Sequence, residues 1–145
     1  MRALLAIDLS DHPEPLIAAA VGWAIRLGAR LDLLWVDPLP LAGLFTHEPT
    51  VAAIIAREQE RLRARSTEQV GALVATMPEA VRGEGLVRTG PPGPTVIETA
   101  DAYDLVIVGT HGRTGVARFW LGSVAEHVVR GSPRPVLTLR ADGVP

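Results

Sequence analysis

Short apolar runs alternate with longer segments of helical periodicity along this chain of 145 residues. The runs are typical of strands that are buried on both faces of a sheet. The segments between them repeat apolar residues at spacings of three and four, as amphipathic helices do. This alternation predicts an α/β fold, with one doubly wound domain of three layers over residues 1–145 around a parallel sheet of five strands.

Proline, glycine and capping-box patterns mark where the predicted helices begin and end. The segments Thr95–Glu98 and Ser123–Glu126 match the [ST]-x-x-[DE] capping box. The third strand is interrupted by polar residues, so we expect it at a sheet edge. The predicted strands are Ala3–Ile7, Leu31–Val36, Glu79–Arg88, Leu105–Val108 and Pro135–Arg140, and the predicted helices are Glu14–Leu27, Thr50–Thr76, Thr95–Tyr103 and Ser123–Gly131.

Two polar features fall inside these elements. Asp32 interrupts the second strand near its beginning, where we expect the carboxylate to reach water. The charged middle of the second helix, Arg57–Arg65, is expected to be a solvated face with i,i+4 pairs.

The composition excludes several classes of activity. All 14 basic residues are Arg, so the chain has no P-loop lysine, no kinase-type strand lysine and no Schiff-base lysine. It has no cysteine, which excludes disulfides and thiolate metal sites. The 4 histidines lack metal-binding spacing, and no nucleophile elbow is present.

Charge and hydropathy set the expected surroundings of the protein. The formal net charge of -2 gives no general reason to bind nucleic acid or an anionic membrane surface. No apolar run reaches membrane-spanning length, and the first run is too short for a signal peptide. We therefore expect a cytoplasmic protein with neither partner.

The stretch Leu105–His127 combines a strand, a glycine-rich loop and a helix N-terminus. Backbone N–H groups at such a junction, together with the helix dipole, favour an anion such as phosphate. We expect Gly109, Gly112 and Gly122 to let the backbone approach a ligand and to adopt positive φ. Because ligands of doubly wound sheets bind at the carboxyl ends of the strands, Asp8 after the first strand could face this loop.

The pattern G-x-x-G-x9-G-[ST] from Gly109 to Ser123 resembles that of the universal stress protein family, and of its ATP-binding members in particular. The resemblance covers essentially the whole chain. It also includes Ile7-Asp8 with Ser10, Val36-Asp37, Val87–Gly90 and Pro135-Val-Leu.

The resemblance implies a sheet in the order 3-2-1-4-5 that binds ATP or AMP between the first and fourth strands. Asp8 and the backbone of Val36 would hold adenine and ribose, with Ala6 and Ile7 lining that end. The residues that would hold ribose and phosphates are Gly109, Gly112, Gly122, Ser123 and Val124. The family also tends to dimerise through its last strand, here Val136, Leu137, Thr138 and Leu139.

Several of these residues also have plainer interpretations. Asp8 could cap the first helix or hydrogen-bond its own loop, and Ser123 is expected to be an N-cap whether or not it binds phosphate. Arg113 and Arg118 could supply the cationic charge that lysine usually brings, or could simply be solvated. The plainer role is expected for two more residues, His111 as a solvent-facing loop residue and Trp120 as a packing or interface residue.

Three functions remain open at this point. The first is a nucleotide-binding regulatory domain, in which Mg²⁺ would be held only through the phosphates. The second is a slow ATPase or phosphotransferase, for which Asp8 is the only obvious base. The third is a nucleotide-free dimeric interaction module. The intact glycine pattern favours the first function over the third, and the absence of lysine favours it over the second.

Overall fold

A parallel sheet of five strands forms the centre of the computed structural model, which describes residues 1–38, 47–110 and 122–140. The strand order is β3-β2-β1-β4-β5, and every pairing is parallel, as predicted. In chain order the elements are β1 (Arg2–Ala6), α1 (Glu14–Leu27), β2 (Arg30–Asp37), α2 (Pro49–Ala75), β3 (Arg82–Thr89), α3 (Pro92–Ala100), β4 (Leu105–Gly109), α4 (Ser123–Gly131) and β5 (Val136–Leu139).

The strands alternate their side chains between the two faces of the sheet, and each face has its own apolar core. Leu5, Leu33 and Ile107 face α1 and α2 and are fully buried. Leu4 and Val106, also fully buried, point the other way towards α3 and α4. The helices therefore cover both faces, which confirms the three-layer architecture.

The direction of winding changes between β1 and β4. The units from β1 to β3 place α1 and α2 on one face, and the units from β3 to β5 place α3 and α4 on the other. The weak strand β3 lies at a sheet edge, as its polar interruptions predict. The point of reversal is where ligands of doubly wound sheets bind.

Asp32 corrects one prediction, because its side chain is buried in β2 and does not reach water. Its Oδ2 accepts hydrogen bonds from the Arg2 guanidinium at 2.7 Å and from the Tyr103 hydroxyl at 2.8 Å. Its Oδ1 accepts one from the backbone N–H of Glu84 at 2.8 Å. A buried carboxylate requires such donors, and β1, β3 and the segment before β4 supply them.

The helix starts correct two further predictions. α3 begins at Pro92 rather than Thr95, and the Thr95 Oγ1 donates to the carbonyl oxygen of Pro91 at 2.8 Å instead of capping. α4 begins at Ser123 as predicted, but its N-cap is Gly122, and Ser123 makes no side-chain cap hydrogen bond.

The charged middle of α2 is exposed throughout residues 57–65, as predicted. The ion pairs between described residues, Arg2–Asp32 and Glu126–Arg130, lie outside α2, so the expected i,i+4 pairs of α2 do not form. Among residues 1–38, 47–110 and 122–140, no helix has the length and apolarity needed to cross a bilayer.

Candidate functional site

The carboxyl ends of β1 and β4 lie side by side at the reversal point. The pairing runs from Ala3 opposite Leu105 to Ala6 opposite Val108, so both strands end at the same edge. Asp8 follows β1 after one further residue, and Gly109 ends β4. The fold therefore brings the predicted carboxylate and the beginning of the predicted glycine loop to one edge of the sheet.

Asp8 is exposed and hydrogen-bonds its own loop. Its Oδ1 accepts from the backbone N–H of Ser10 at 2.8 Å and from the Ser10 hydroxyl at 2.6 Å. The N-cap of α1 is Pro13, without a side-chain cap bond, so Asp8 does not cap that helix. Of the two plainer interpretations, the loop hydrogen bond is the one observed. These two hydrogen bonds fix the carboxylate in place, and both are made by Oδ1.

The side chains of Ala6, Ile7 and Val36 belong to the core beside this edge. Ala6 is partly buried, while Ile7 and Val36 are 6% and 5% exposed. They provide apolar walls rather than polar contacts. Any specific contact from Val36 must therefore come from its backbone, as the family resemblance implies.

The backbone of Val36 points over the end of β1. The carbonyl oxygen of Leu34 accepts from the N–H of Ile7, so Leu34 faces β1, and Val36, two residues further on, faces the same way. The β1–β2 pairing ends at Ala6 and Leu34, whereas β2 continues to pair with β3 as far as Asp37. The polar groups of Val36 are thus directed at the space beyond the last β1 pair.

The two described glycines of the motif differ from expectation in backbone conformation. Gly122 has φ -56° and ψ 150°, and the positive-φ glycines among the described residues are Gly28 and Gly90. The positive φ predicted for Gly109 and Gly122 is therefore wrong. At Gly109 a Cβ would lie 2.9 Å from the Leu16 Cδ2, so a larger residue there would require the Leu16 side chain to shift. At Gly122 a Cβ would meet no described atom within 4 Å.

The N-terminus of α4 lies at the same edge. Ser123 and Val124 are exposed, and no side chain caps the helix. The first intrahelical hydrogen bond runs from the N–H of Glu126 to the carbonyl oxygen of Gly122 at 2.8 Å. The N–H groups before it have no intrahelical acceptor, which is the arrangement that binds anions.

Five residues singled out in the sequence lie outside the described residues. They are His111, Gly112, Arg113, Arg118 and Trp120.

A cavity of about 570 Å³ lies next to this edge, between α2 and the carboxyl ends of the first three strands. Its lining includes Asp37, whose Oδ1 accepts from the Trp35 indole N–H at 2.6 Å and from the Ser66 hydroxyl at 2.8 Å. The Oδ2 of Asp37 is buried and has no hydrogen-bond partner among the described residues. In the sequence, Asp37 stands out only as part of the family pattern, and no local signal marks Trp35 or Ser66.

Among the strands that the structure describes, β5 forms the second edge of the sheet and pairs only with β4. The carbonyl oxygens of Pro135 and Leu139 accept from Val106 and Thr110. Alternation then directs the backbone groups of Val136 and Thr138 away from β4, towards the open edge.

Comparison with known proteins places this geometry in a family. A model of the universal stress protein family matches residues 1–140. A universal stress protein of Thermus aquaticus is 32% identical over 140 residues, which cover 94% of this chain and 96% of the relative. A universal stress protein of Mycobacterium tuberculosis is 35% identical over 144 residues. This alignment covers 96% of this chain but 44% of the relative.

Solved structures share the fold. The universal stress protein UspA of Lactobacillus plantarum superposes with a TM-score of 0.68 at 22% identity and covers 97% of both chains. A universal stress protein family protein of Arabidopsis thaliana with AMP bound has a TM-score of 0.60 at 16% identity, with coverage of 97% and 91%. Two others, solved with cAMP and with dAMP, have TM-scores of 0.58 and 0.54 and identities of 23% and 22%. The chain belongs to the universal stress protein family.

Proposed function

We propose that the chain binds an adenine nucleotide, ATP or AMP, at the carboxyl edge of the sheet between β1 and β4, and that occupancy serves a regulatory role. Family members with AMP, dAMP and cAMP bound support the class of ligand. Asp8 and the backbone of Val36 hold the nucleoside against Ala6 and Ile7. The phosphates lie on the loop and helix start, where the proposed contacts are Gly109, Gly112, Arg113, Gly122, Ser123 and Val124.

The observation that carries this proposal is the uncapped N-terminus of α4 at the point where the sheet reverses its winding. Its first N–H groups have no side-chain acceptor among the described residues, and the dipole of α4 adds partial positive charge there. A phosphate would accept hydrogen bonds from these N–H groups, and its negative charge would interact favourably with the helix dipole. Mg²⁺, where present, is held through the phosphates, because the described residues contain no group of three or more His, Asp or Glu side chains that could hold a metal ion.

The surroundings of Gly122 fit a bound phosphate. The direction in which a side chain would project from this residue contains no described atom within 4 Å. Its φ of -56° and ψ of 150° are also accessible to any residue. A side chain at this position would therefore occupy the proposed phosphate space without straining the fold.

Calorimetric titration with AMP and with ATP tests the proposal on the wild type and on Gly122→Val. We expect the variant to lose at least about tenfold in affinity, since the two methyl groups displace a phosphate oxygen from the helix N–H groups. Gly71→Val is the matched control, because Gly71 is exposed on α2 and its Cβ also meets nothing within 4 Å.

Circular dichroism verifies that both variants are folded. Equal affinity of Gly122→Val and the wild type would remove the α4 start from the site. Failure of the wild type to bind either nucleotide would contradict the proposal as a whole.

We further propose that the chain forms a homodimer through the open edge of β5. Val136 and Thr138 direct unpaired backbone groups outward, and a second copy of the same strand can pair with them.

A further inference from the structure

We infer that the cavity beside α2 is a second ligand site, for a small dipolar molecule with an ammonium or N–H donor at one end and a carboxylate or similar anion at the other. The cavity opens between α2 and the ends of β1, β2 and β3, and its described lining includes no residue of β4 or α4. It adjoins the nucleoside end of the site proposed between β1 and β4, because Leu9 and Ser10 follow Asp8, but its described lining contains none of the residues proposed to bind the nucleotide.

The size of the cavity suits a small molecule. Its volume of about 570 Å³ falls within the range of roughly 300–1,000 Å³ that ligand pockets occupy. Leu9, Trp35, Pro38 and Leu62 supply apolar surface, and polar groups are interspersed among them. This mixture is typical of a binding pocket rather than of a gap in the core.

The inward stripe of α2 changes character where it reaches the cavity. In the C-terminal half of α2, Val70 is fully buried against the sheet. Continuing towards the N-terminus at spacings of three and four, the stripe consists of Ser66, Arg63 and Gln59, and all three line the cavity. A stripe that only packed against a sheet would be apolar. Here Ser66, Arg63 and Gln59 face the cavity beside the apolar Leu62 and Ala56, so the stripe is mixed where it reaches the cavity.

Asp37 supplies the acceptor for the cationic end. Trp35 and Ser66 both donate to its Oδ1, and Oδ2 is buried with no partner among the described residues. An unsatisfied buried carboxylate oxygen is costly, and a donor carried by a ligand would remove that cost.

Two arginines at the rim supply the anion-binding end. Arg63 and Arg65 line the cavity, are exposed, and have no acidic partner within 4.0 Å among the described residues. Asp37 and Glu60 balance their charge, so the cavity has both signs of charge at separate places. This distribution favours a dipolar ligand over a simple anion or cation.

The probe that tests this inference is 4-(aminomethyl)benzoate, which carries an ammonium and a carboxylate on an apolar ring. Benzoate and benzylamine are the matched probes that lack one charge each. Titrations followed by ¹⁵N NMR, with the Trp35 indole N–H as a local reporter, give the three affinities. We expect 4-(aminomethyl)benzoate to bind at least about tenfold more tightly than either of the others.

The variant Asp37→Asn keeps an oxygen for Trp35 and Ser66 but replaces the unpaired Oδ2 by an amide. We expect it to abolish the preference for the ammonium probe over benzoate. Glu68→Gln is the control for charge, because Glu68 lies on α2 but does not line the cavity. If Asp37→Asn does not fold, Arg63→Gln tests the other end and should abolish the preference over benzylamine.

Equal binding of the three probes, absence of binding, or binding that neither cavity variant changes would each overturn the inference. Displacement of the probe by AMP would place it in the nucleotide site and would overturn the inference equally. Binding that persists in the presence of saturating AMP supports two separate sites.

Discussion

Tyr103 shows how the fold changes the chemistry of one side chain. Its ring is buried, its hydroxyl donates to the Asp32 Oδ2 at 2.8 Å, and the Arg2 guanidinium lies 4.8 Å from the ring centroid. Burial, followed by the hydrogen bond to Asp32, raises the pKa of Tyr103 well above its ordinary value. The same contact with Asp32 raises the pKa of Arg2.

The raised pKa of Tyr103 predicts a loss of stability at alkaline pH. A group whose pKa is higher in the folded state stabilises the protein below its unfolded pKa, about 10 for tyrosine, and stops doing so as the pH rises further. The chain has one tyrosine, no cysteine and no lysine. The decrease in free energy of unfolding between about pH 10 and pH 12 therefore belongs to Tyr103, and urea denaturation across that range measures it.

Tyr103→Phe provides the comparison. The variant should lose the alkaline slope while it keeps a cooperative transition at neutral pH. Ultraviolet titration of the single tyrosinate gives an independent reading, and ionisation of the folded protein at the ordinary tyrosine pKa would contradict the prediction.

At the scale of the elements, the burial of Asp32 requires a glycine in β3. The β2–β3 register shifts between Leu31 and Leu33, and the Glu84 N–H at this irregularity donates to Asp32. A Cβ on Gly83 would collide with the Asp32 carboxylate and would lie 2.6 Å from the carbonyl oxygen of Leu31. Because the latter is backbone, it cannot move aside without breaking the pairing of the strands.

Gly83→Ala should therefore destabilise the protein by at least about 2 kcal/mol, as measured by urea denaturation. Gly71→Ala is the matched comparison on α2, where a Cβ meets nothing within 4 Å. It should stabilise the protein by about 0.5–1 kcal/mol, since alanine loses less conformational entropy in a helix. Similar effects of the two substitutions would show that Gly83 is not under steric constraint.

Local signals in the sequence were sufficient for most of the elements. The bounds of α1 are those predicted, because Pro15 at its start and Gly28 after its end are strong local signals. The start of α3 differs from the prediction. Pro92 fits the first turn of a helix, so the helix begins there, before the capping box at Thr95. Local patterns compete at helix starts, and the outcome depends on how the chain enters the helix.

Contacts between distant residues were beyond the reach of local patterns. Asp32 and Tyr103 are 71 positions apart, and the hydrogen-bonded pair of Asp37 and Ser66 is 29 apart. The family resemblance predicted Asp8, Val36 and Gly109 as site residues. The strand order places the elements that carry them at one edge of the sheet. The resemblance gave no sign of the cavity, because nothing in the local pattern of α2 places Ser66 opposite Asp37.

For the whole molecule, the open edge of β5 determines the proposed assembly. The backbone N–H of Thr138 points away from β4, so its loss leaves the ladder within the sheet intact. Thr138→Pro should weaken the dimer by at least about tenfold, because proline removes one donor at an edge where it is otherwise tolerated. Sedimentation velocity over a dilution series measures this change.

Thr138→Val keeps the N–H and serves as the control. A dimer that Thr138→Pro leaves unchanged, with a native circular dichroism spectrum, would exclude β5 as the interface. If Thr138→Pro and Thr138→Val bind AMP with the same affinity, assembly and nucleotide binding are separate properties.

The strand order also has a consequence for synthesis of the chain on the ribosome. β1 is made first yet lies at the centre, between β2 and β4. Once residues 1–89 have emerged, β3, β2 and β1 can pair, and α1 and α2 can cover one face of the sheet. Leu4 and Leu34 on the other face stay exposed to solvent until α3 and α4 have been made. One edge of β1 remains unpaired until Leu105–Gly109 follows. The nascent chain is therefore most exposed to aggregation while the segment between β3 and β4 is being translated.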